Sequence, residues 1–259
     1  MGLFYRISFL LISRTIVVSI VFLVSYNGAL SLLCAEEVCV VPDFGAIKDV
    51  VERKKDFFDF LRPIIEAENE RVLKQRKRML LLLEKHRKGV VPLSEEVIWL
   101  NRLLSEYKVE RYQGDSDGIW ETLLKRVDIV PVSLALNQSA KETGWGTSRF
   151  ARMGNNMFGQ QCFTKSCGMI PSYRIPGATY EVARFKSVND SVRSYIHNIN
   201  TCWAYSHLRQ LRFDQRQAGE IPDGHTVAGG LLKYSERGNE YVKEVRLMIR
   251  INKPYMDLS

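Results

Sequence analysis

Apolar side chains recur at helical spacing soon after residue 40. Ile47, Val50, Val51, Phe57, Phe58 and Leu61 fall on one stripe, as in a helix with a single buried face. Pro63 ends or kinks that helix, or begins the next. Val72, Met79 and Leu83 carry the pattern onward at spacings of seven and four, and Gly89 and Pro92 stop it. Ser94 then reads as an N-cap, with Leu93 and Ile98 as a hydrophobic staple. Val97, Leu100, Leu104 and Tyr107 mark the inner face of the next helix. From about residue 115 the texture changes: glycine becomes common, Trp120, Trp145 and Trp203 appear, and four short helical patterns succeed one another. A hairpin-like segment interrupts them, with residues 170–175, a Pro176-Gly177 turn and residues 179–185. Helices carrying one small sheet predict a mainly helical α+β fold.

The first 35 residues read as a signal peptide or a membrane anchor. Arg6 and Arg14 precede the apolar run at 15–24, and Asn27, Gly28 and Ala29 then interrupt it. Cleavage after Ala35 places Leu33 at the −3 position. An uncleaved segment at 15–35 is just long enough to span a bilayer, giving inner-membrane attachment. Both readings export the remainder to the periplasm or cell envelope. Export permits disulfides. Once Cys34 leaves with a signal, Cys39, Cys162, Cys167 and Cys202 remain. Cys162 and Cys167 bracket only FTKS and are expected to form a local bridge. His197, Cys202 and His207 are five residues apart, about 500° around a helix, so they diverge. Neither a metal nor a cofactor is expected.

Composition is that of a packed globular protein, with 46% apolar and 25% charged residues. The net charge of +8 suits an anionic partner. Between Arg71 and Lys88 stand eight Lys/Arg and one acid, Glu84. That stretch reads either as the solvated face of a helix pair or as a dock for an anionic partner. It lacks the interleaved aromatic or Gly-rich elements of nucleic-acid binders, and no nucleic-acid partner is expected.

The segment PVSLALNQSAKETGWG, residues 131–146, carries the candidate chemistry. Pro131 suits a first helical turn. Val132, Ala135, Leu136, Ser139, Ala140 and Thr143 line one face, and Gly144 is a natural stop. Gln138 and Glu142, four apart, share the edge of that stripe. Glu142 therefore stands in the last turn, where the helix dipole disfavours a second negative charge and the neighbouring Trp145 excludes water. Both effects raise its pKa, as a general acid requires. The same position also suits an ordinary surface glutamate at a helix end.

AKETGWG at 140–146, followed by GNNMFG at 154–159, resembles the glucosaminidase domain of glycoside hydrolase family 73, with its A-x-E-(S/T)-G-W-G and N-(L/M)-F-G patterns. FGQQCFTKSCGMIP is similar to a bacterial relative within that family that has a cysteine-bracketed loop. The similarity runs over about residues 117–250. It implies a lysozyme-like domain at 114–259 with a small β-lobe, preceded by a helical N-terminal region at 36–113. The implied substrate is the peptidoglycan glycan strand, cut at the β-1,4 bond on the reducing side of N-acetylglucosamine, with Glu142 as general acid. Where the family has a second glutamate ahead of a hairpin turn, this chain has Tyr173 and Arg174, and Glu181 stands after the turn. Glu181 is a candidate second carboxylate or a hairpin ion-pair partner. Without it, the substrate's own acetamido oxygen serves as nucleophile. YSERGNEYVKEV at 234–245 resembles the family's Y-A-x-D-x-x-Y-x-x-K stretch, which makes Tyr234 the cleft tyrosine. Asn155, Asn156, Gln138 and Phe158 are the candidate substrate-binding residues. The Gly-Asn-Asn run also suits a tight turn, and Phe158 also suits the floor beneath a cleft. Readings from other classes are a peptidoglycan-binding module without catalysis and an envelope scaffold. A lytic transglycosylase is the alternative among enzymes.

Overall fold

The computed structural model describes residues 40–109, 117–172, 174 and 177–256. The leader or anchor expected at 1–35 lies outside the described residues, as do Cys39, Tyr173 and Pro176. No helix among the described residues is long and apolar enough to cross a membrane.

Helix α1 (Val50–Arg87) runs on through Pro63. Proline withdraws the N–H that would bond the carbonyl four residues back. Pro63 and Asp59 both face solvent, where water can serve that carbonyl, while Phe57, Phe58, Leu61, Ile64 and Ile65 are buried on the other side. The same packed face holds the helix continuous across the proline. Helix α2 (Ser94–Glu106) starts one residue earlier than a Ser94 cap would place it. Leu93 takes the N-cap position, and the Glu96 carboxylate accepts its N–H at 2.9 Å. Helices α3 (Asp117–Arg126), α4 (Val132–Thr143) and α5 (Arg149–Gly154) come next.

The small sheet comprises β1 (Gln161–Cys162), β2 (Gly168–Met169) and β3 (Glu181–Ala183), in the order β1-β3-β2 and antiparallel throughout. The expected hairpin therefore has different partners. Its second arm is the central strand, and among the described residues it pairs with 161–162 and 168–169. Cys162 and Cys167 are disulfide-bonded, which folds the chain back and delivers both flanking strands to β3.

Helix α6 (Val188–Thr201) is capped by Ser187, whose hydroxyl oxygen accepts the Asp190 N–H at 3.1 Å. Helices α7 (Ser206–Gln217), α8 (Gly224–Val227) and α9 (Asn239–Met256) complete the chain. Residues 40–259 form one compact unit, mainly helical with a small β-lobe, an α+β arrangement of the lysozyme-like kind.

Helix α4 lies at its centre, against α1, α8 and α9. Every residue from Leu134 to Ala140 is buried, so the helix is enclosed on all sides rather than along one stripe. Asn69 of α1 ties the entry to α4 by bonding both backbone groups of Val130, at 2.8 and 3.1 Å. A buried ionic hub fastens α1, α3 and α7. Asp128 meets Arg216 at 3.0 Å and Arg76 at 3.5 Å. The fully enclosed Arg212 donates to the backbone carbonyls of Lys125, Asp128 and Ile129 at the end of α3.

Candidate active site

The end of α4 is shaped by three consecutive residues with left-handed backbone: Gly144 at φ 58°, Trp145 at 62° and Gly146 at 76°. A tryptophan in that region is strained and must be held by its surroundings. Its ring packs edge-on against Phe57 and Phe58 of α1, with centroids 6.0 and 5.3 Å away, and the Lys54 ammonium stands 5.0 Å from its centroid. Gly146 has no alternative. A Cβ there would come within 2.4 Å of Phe44 Cδ2. The Thr143 hydroxyl completes the turn by accepting the Gly146 N–H at 2.8 Å. Helix α1 thus braces the last turn of α4, where Glu142 stands.

Glu142 is half-buried. The Tyr241 hydroxyl donates to its Oε1 at 2.8 Å. Gln138, one turn earlier on α4, donates from Nε2 to the Tyr241 oxygen at 3.0 Å and accepts at Oε1 from the Tyr195 hydroxyl at 2.7 Å. Oriented in this way, the chain Tyr195–Gln138–Tyr241 aims one proton at Glu142 Oε1. An acid proton then belongs on Oε2. That oxygen lies beside Gly159, where a Cβ would stand 3.3 Å from it, and Gly159 has φ 63°. A side chain at 159 would be strained and would crowd the carboxyl.

Burial pushes the Glu142 carboxyl above its ordinary value, against the opposing pull of the Tyr241 hydrogen bond and the Lys141 charge. Lys141 is largely engaged elsewhere, 2.5 Å from Glu244. The phenols around the carboxyl are held protonated. Burial raises Tyr195, Tyr234 and Tyr241 well above the ordinary range and Tyr205 to about 12, and the Glu142 charge adds to each.

The remaining candidates divide by what their polar atoms already touch. Gln138 is fully enclosed and serves the tyrosine chain. Phe158 is buried, stacked on Tyr195 with centroids 3.8 Å apart. Its carbonyl accepts from the Tyr234 hydroxyl at 2.9 Å. Tyr234 in turn stacks on Tyr241 at 5.3 Å. Asn156 is buried, its amide donating to the carbonyls of Gln160 and Ala183 and accepting the N–H groups of Phe158 and Gln160. Asn155 takes the left-handed position after α5 and donates to the carbonyls of Phe185 and Lys186. Both asparagines shape the turn that presents Gly159.

Glu181 is buried in the β-lobe. Its Oε1 accepts the Ser166 N–H at 3.0 Å and its Oε2 the Gly168 N–H at 2.7 Å. The Ser166 and Gly168 amides, with a smaller contribution from the Arg174 charge, hold its carboxyl below the usual range. Its hydrogen bonds thus go to the disulfide loop and not to the tyrosine chain around Glu142. Its carboxylate and the two bridged sulfurs lie within 4.8 Å of one another, but the sulfurs are bonded together and are not free thiolates for a metal.

Sequence reasoning missed Tyr241 as the phenol on the carboxyl. Its only signal was its place as the second tyrosine of the 234–245 stretch. Together the residues form a sheltered carboxyl with a raised pKa, one oxygen pinned and the other bordered by a residue without a side chain. Such a group can deliver a proton to a leaving oxygen.

Residues 118–253 match the family model Glucosaminidase, described as mannosyl-glycoprotein endo-beta-N-acetylglucosaminidase. Over 202 residues the chain is 34% identical to Protein bax of Escherichia coli (strain K12), covering 78% of this chain and 70% of that protein. No solved structure matches.

Proposed function

The chain belongs to the mannosyl-glycoprotein endo-beta-N-acetylglucosaminidase family, and from that premise we propose that it is an exported peptidoglycan hydrolase of the cell envelope. The bond cut is the β-1,4 linkage on the reducing side of N-acetylglucosamine, and Glu142 is the general acid. The observation that carries this reading is the Glu142 carboxyl itself, half-buried at the end of α4, raised in pKa by burial and held at Oε1 by Tyr241. Oε2 protonates the departing glycosidic oxygen as positive charge develops on the sugar ring.

The group on the opposite face of the sugar is the substrate's own acetamido oxygen. Two features favour it over Glu181. Each Glu181 oxygen accepts a loop amide N–H, which ties the carboxylate to the disulfide loop rather than to the tyrosine chain around Glu142. Tyr234, whose proton goes to the Phe158 carbonyl, keeps lone pairs that can accept the acetamido N–H. That contact orients the acetamido oxygen toward the anomeric carbon. A lytic transglycosylase uses the same acid without a second carboxylate, so the tethering of Glu181 to the loop is compatible with it too. The new chain ends separate the two reactions.

Purified protein, its Glu142→Gln form and its Glu181→Gln form are each incubated with peptidoglycan, and the products are identified by mass. Reducing N-acetylglucosamine ends are expected from the parent, with a loss of about 10²-fold or more in Glu142→Gln, the scale of general acid catalysis. Glu181→Gln is expected to retain most of the activity. Full activity in Glu142→Gln overturns its assigned role, and anhydro-muramic ends overturn the choice of reaction. A comparable loss in Glu181→Gln, with its fold intact, restores Glu181 as the second carboxylate.

A further inference from the structure

The hairpin formed by the C-terminal half of α1 and the start of α2 carries a surface that the hydrolytic reading leaves unused. Leu73, Leu80 and Leu81 on α1 are exposed, and so are Val90, Val91 and Leu93 in the connection. Val91 is 85% exposed and Leu93 61%. Aliphatic side chains this exposed are ordinary singly, but a contiguous apolar patch marks an interaction site. Leu73, Leu80, Leu81 and Val90 border two depressions that share Leu81, and Val91 and Leu93 follow Val90 in the connection. Leu73, Leu80 and Leu81 line one shallow groove of about 660 Å³ with Lys77 and Arg87. Leu81 also borders a second depression of about 420 Å³, shared with Arg78, Lys88 and Val90.

Charge identifies what fits there. Of the eight Lys/Arg from Glu70 to Ile98, Arg71 is paired with Glu68 and Glu106 and the buried Arg76 with Asp128, which leaves six cations against four Glu, a balance of 6 − 4 = +2. Three of the four acids are already matched, Glu70 by Lys74 at 2.8 Å, Glu84 by Lys88 at 2.6 Å and Glu96 by Lys85 at 2.6 Å. Glu95 is the fourth. Lys77, Arg78 and Arg87 are exposed beside the leucines. A polyanion would use the cations and leave the aliphatic groups in water. An apolar protein face would cover the aliphatic groups and strand the cations. An anionic bilayer surface takes both, aliphatic groups between the headgroups and cations against the phosphates.

We propose that this hairpin tip docks the protein on an anionic lipid bilayer. Phe58, which packs under Trp145, lies twenty-nine residues before Arg87, the last residue of the same helix, about 44 Å along its axis. Docking at the tip therefore leaves the end of α1 that braces Glu142 away from the lipid.

The test uses residues 40–259, the compact unit that holds the described core, so that the apolar run at 15–24 contributes nothing. Folding of this unit is confirmed by a cooperative thermal melt. Co-sedimentation is measured with vesicles of phosphatidylglycerol mixed into phosphatidylcholine, and with phosphatidylcholine alone. The parent is expected to bind the anionic vesicles at least about tenfold more tightly than the neutral ones. The triple variant Leu81→Ser, Val91→Ser, Leu93→Ser keeps the net charge and is expected to lose at least about tenfold in binding, with the parent's melting curve. Equal sedimentation of parent and variant overturns the proposal. So does equal binding to both lipids, or no binding at all. Self-association of the parent without vesicles, absent from the variant, overturns it in favour of a second copy of the chain. None of these outcomes depends on Glu142 or on hydrolysis.

Discussion

Tyr241 donates to Glu142 Oε1 and so favours the ionised carboxyl, while burial favours the protonated one and prevails. Tyr241→Phe removes the opposing pull. The Glu142 pKa is then expected to rise further, moving the alkaline limb of the kcat/KM profile to higher pH. The same change leaves the buried Gln138 Nε2 without its acceptor, at a cost of about 1–3 kcal/mol by denaturant unfolding. An unmoved alkaline limb would show that Tyr241 does not tune the acid. The raised pKa also has a stability signature. A carboxyl with a folded pKa above its unfolded value binds more protons when folded, so stability falls as pH rises from about 4.3 through the folded value. Glu142→Gln lifts that penalty and keeps an acceptor for Tyr241. The variant is expected to melt above the parent at neutral pH and level with it below about pH 4. Equal melting temperatures at both pH values would show that the carboxyl is not sheltered.

The turn after α4 is the element through which α1 reaches the site. Its three left-handed residues are stable only because Phe44, Phe57 and Phe58 close over them. Gly146→Ala drives a Cβ into the Phe44 ring and adds left-handed strain at a non-glycine residue. The expected loss is about 2–5 kcal/mol by denaturant unfolding. Activity should fall even where the variant stays folded, because the displaced turn carries Glu142 with it. A variant as stable and as active as the parent would mean that α1 does not brace the site. In the β-lobe, Glu181 does comparable work, gathering the amides of the disulfide loop around one carboxylate.

At the scale of the whole molecule, the Asp128 hub joins helices distant in sequence. Burial alone would raise the Asp128 pKa, but the Arg212, Arg76 and Arg216 charges and the Arg216 hydrogen bond hold it below the usual range. Its contribution to stability is present above the unfolded value of about 3.9 and is lost as pH falls through the lower folded value. Asp128→Ala leaves the enclosed Arg212 without its counter-charge. A loss of about 3–5 kcal/mol at neutral pH is expected, read from urea unfolding. A loss below about 1 kcal/mol would show that the backbone carbonyls around Arg212 suffice by themselves.

Relations within a few residues were legible along the chain. The helix at 132–143, the stop at Gly144 and Glu142 in the last turn all follow from neighbours one turn apart, where helical geometry fixes who meets whom. Relations across the chain were not. Tyr241 reaches Glu142 over 99 residues, and nothing in residue spacing selects it over Tyr234. Asn156 read as free to meet a sugar, yet the carbonyls of Gln160 and Ala183 take its amide. Helix α4 read as amphipathic because small and polar side chains on its outer face gave no sign that α1 and α9 would enclose it. Periodicity reports which face is apolar; which distant backbone groups come within hydrogen-bond reach of a side chain is decided only when the helices pack.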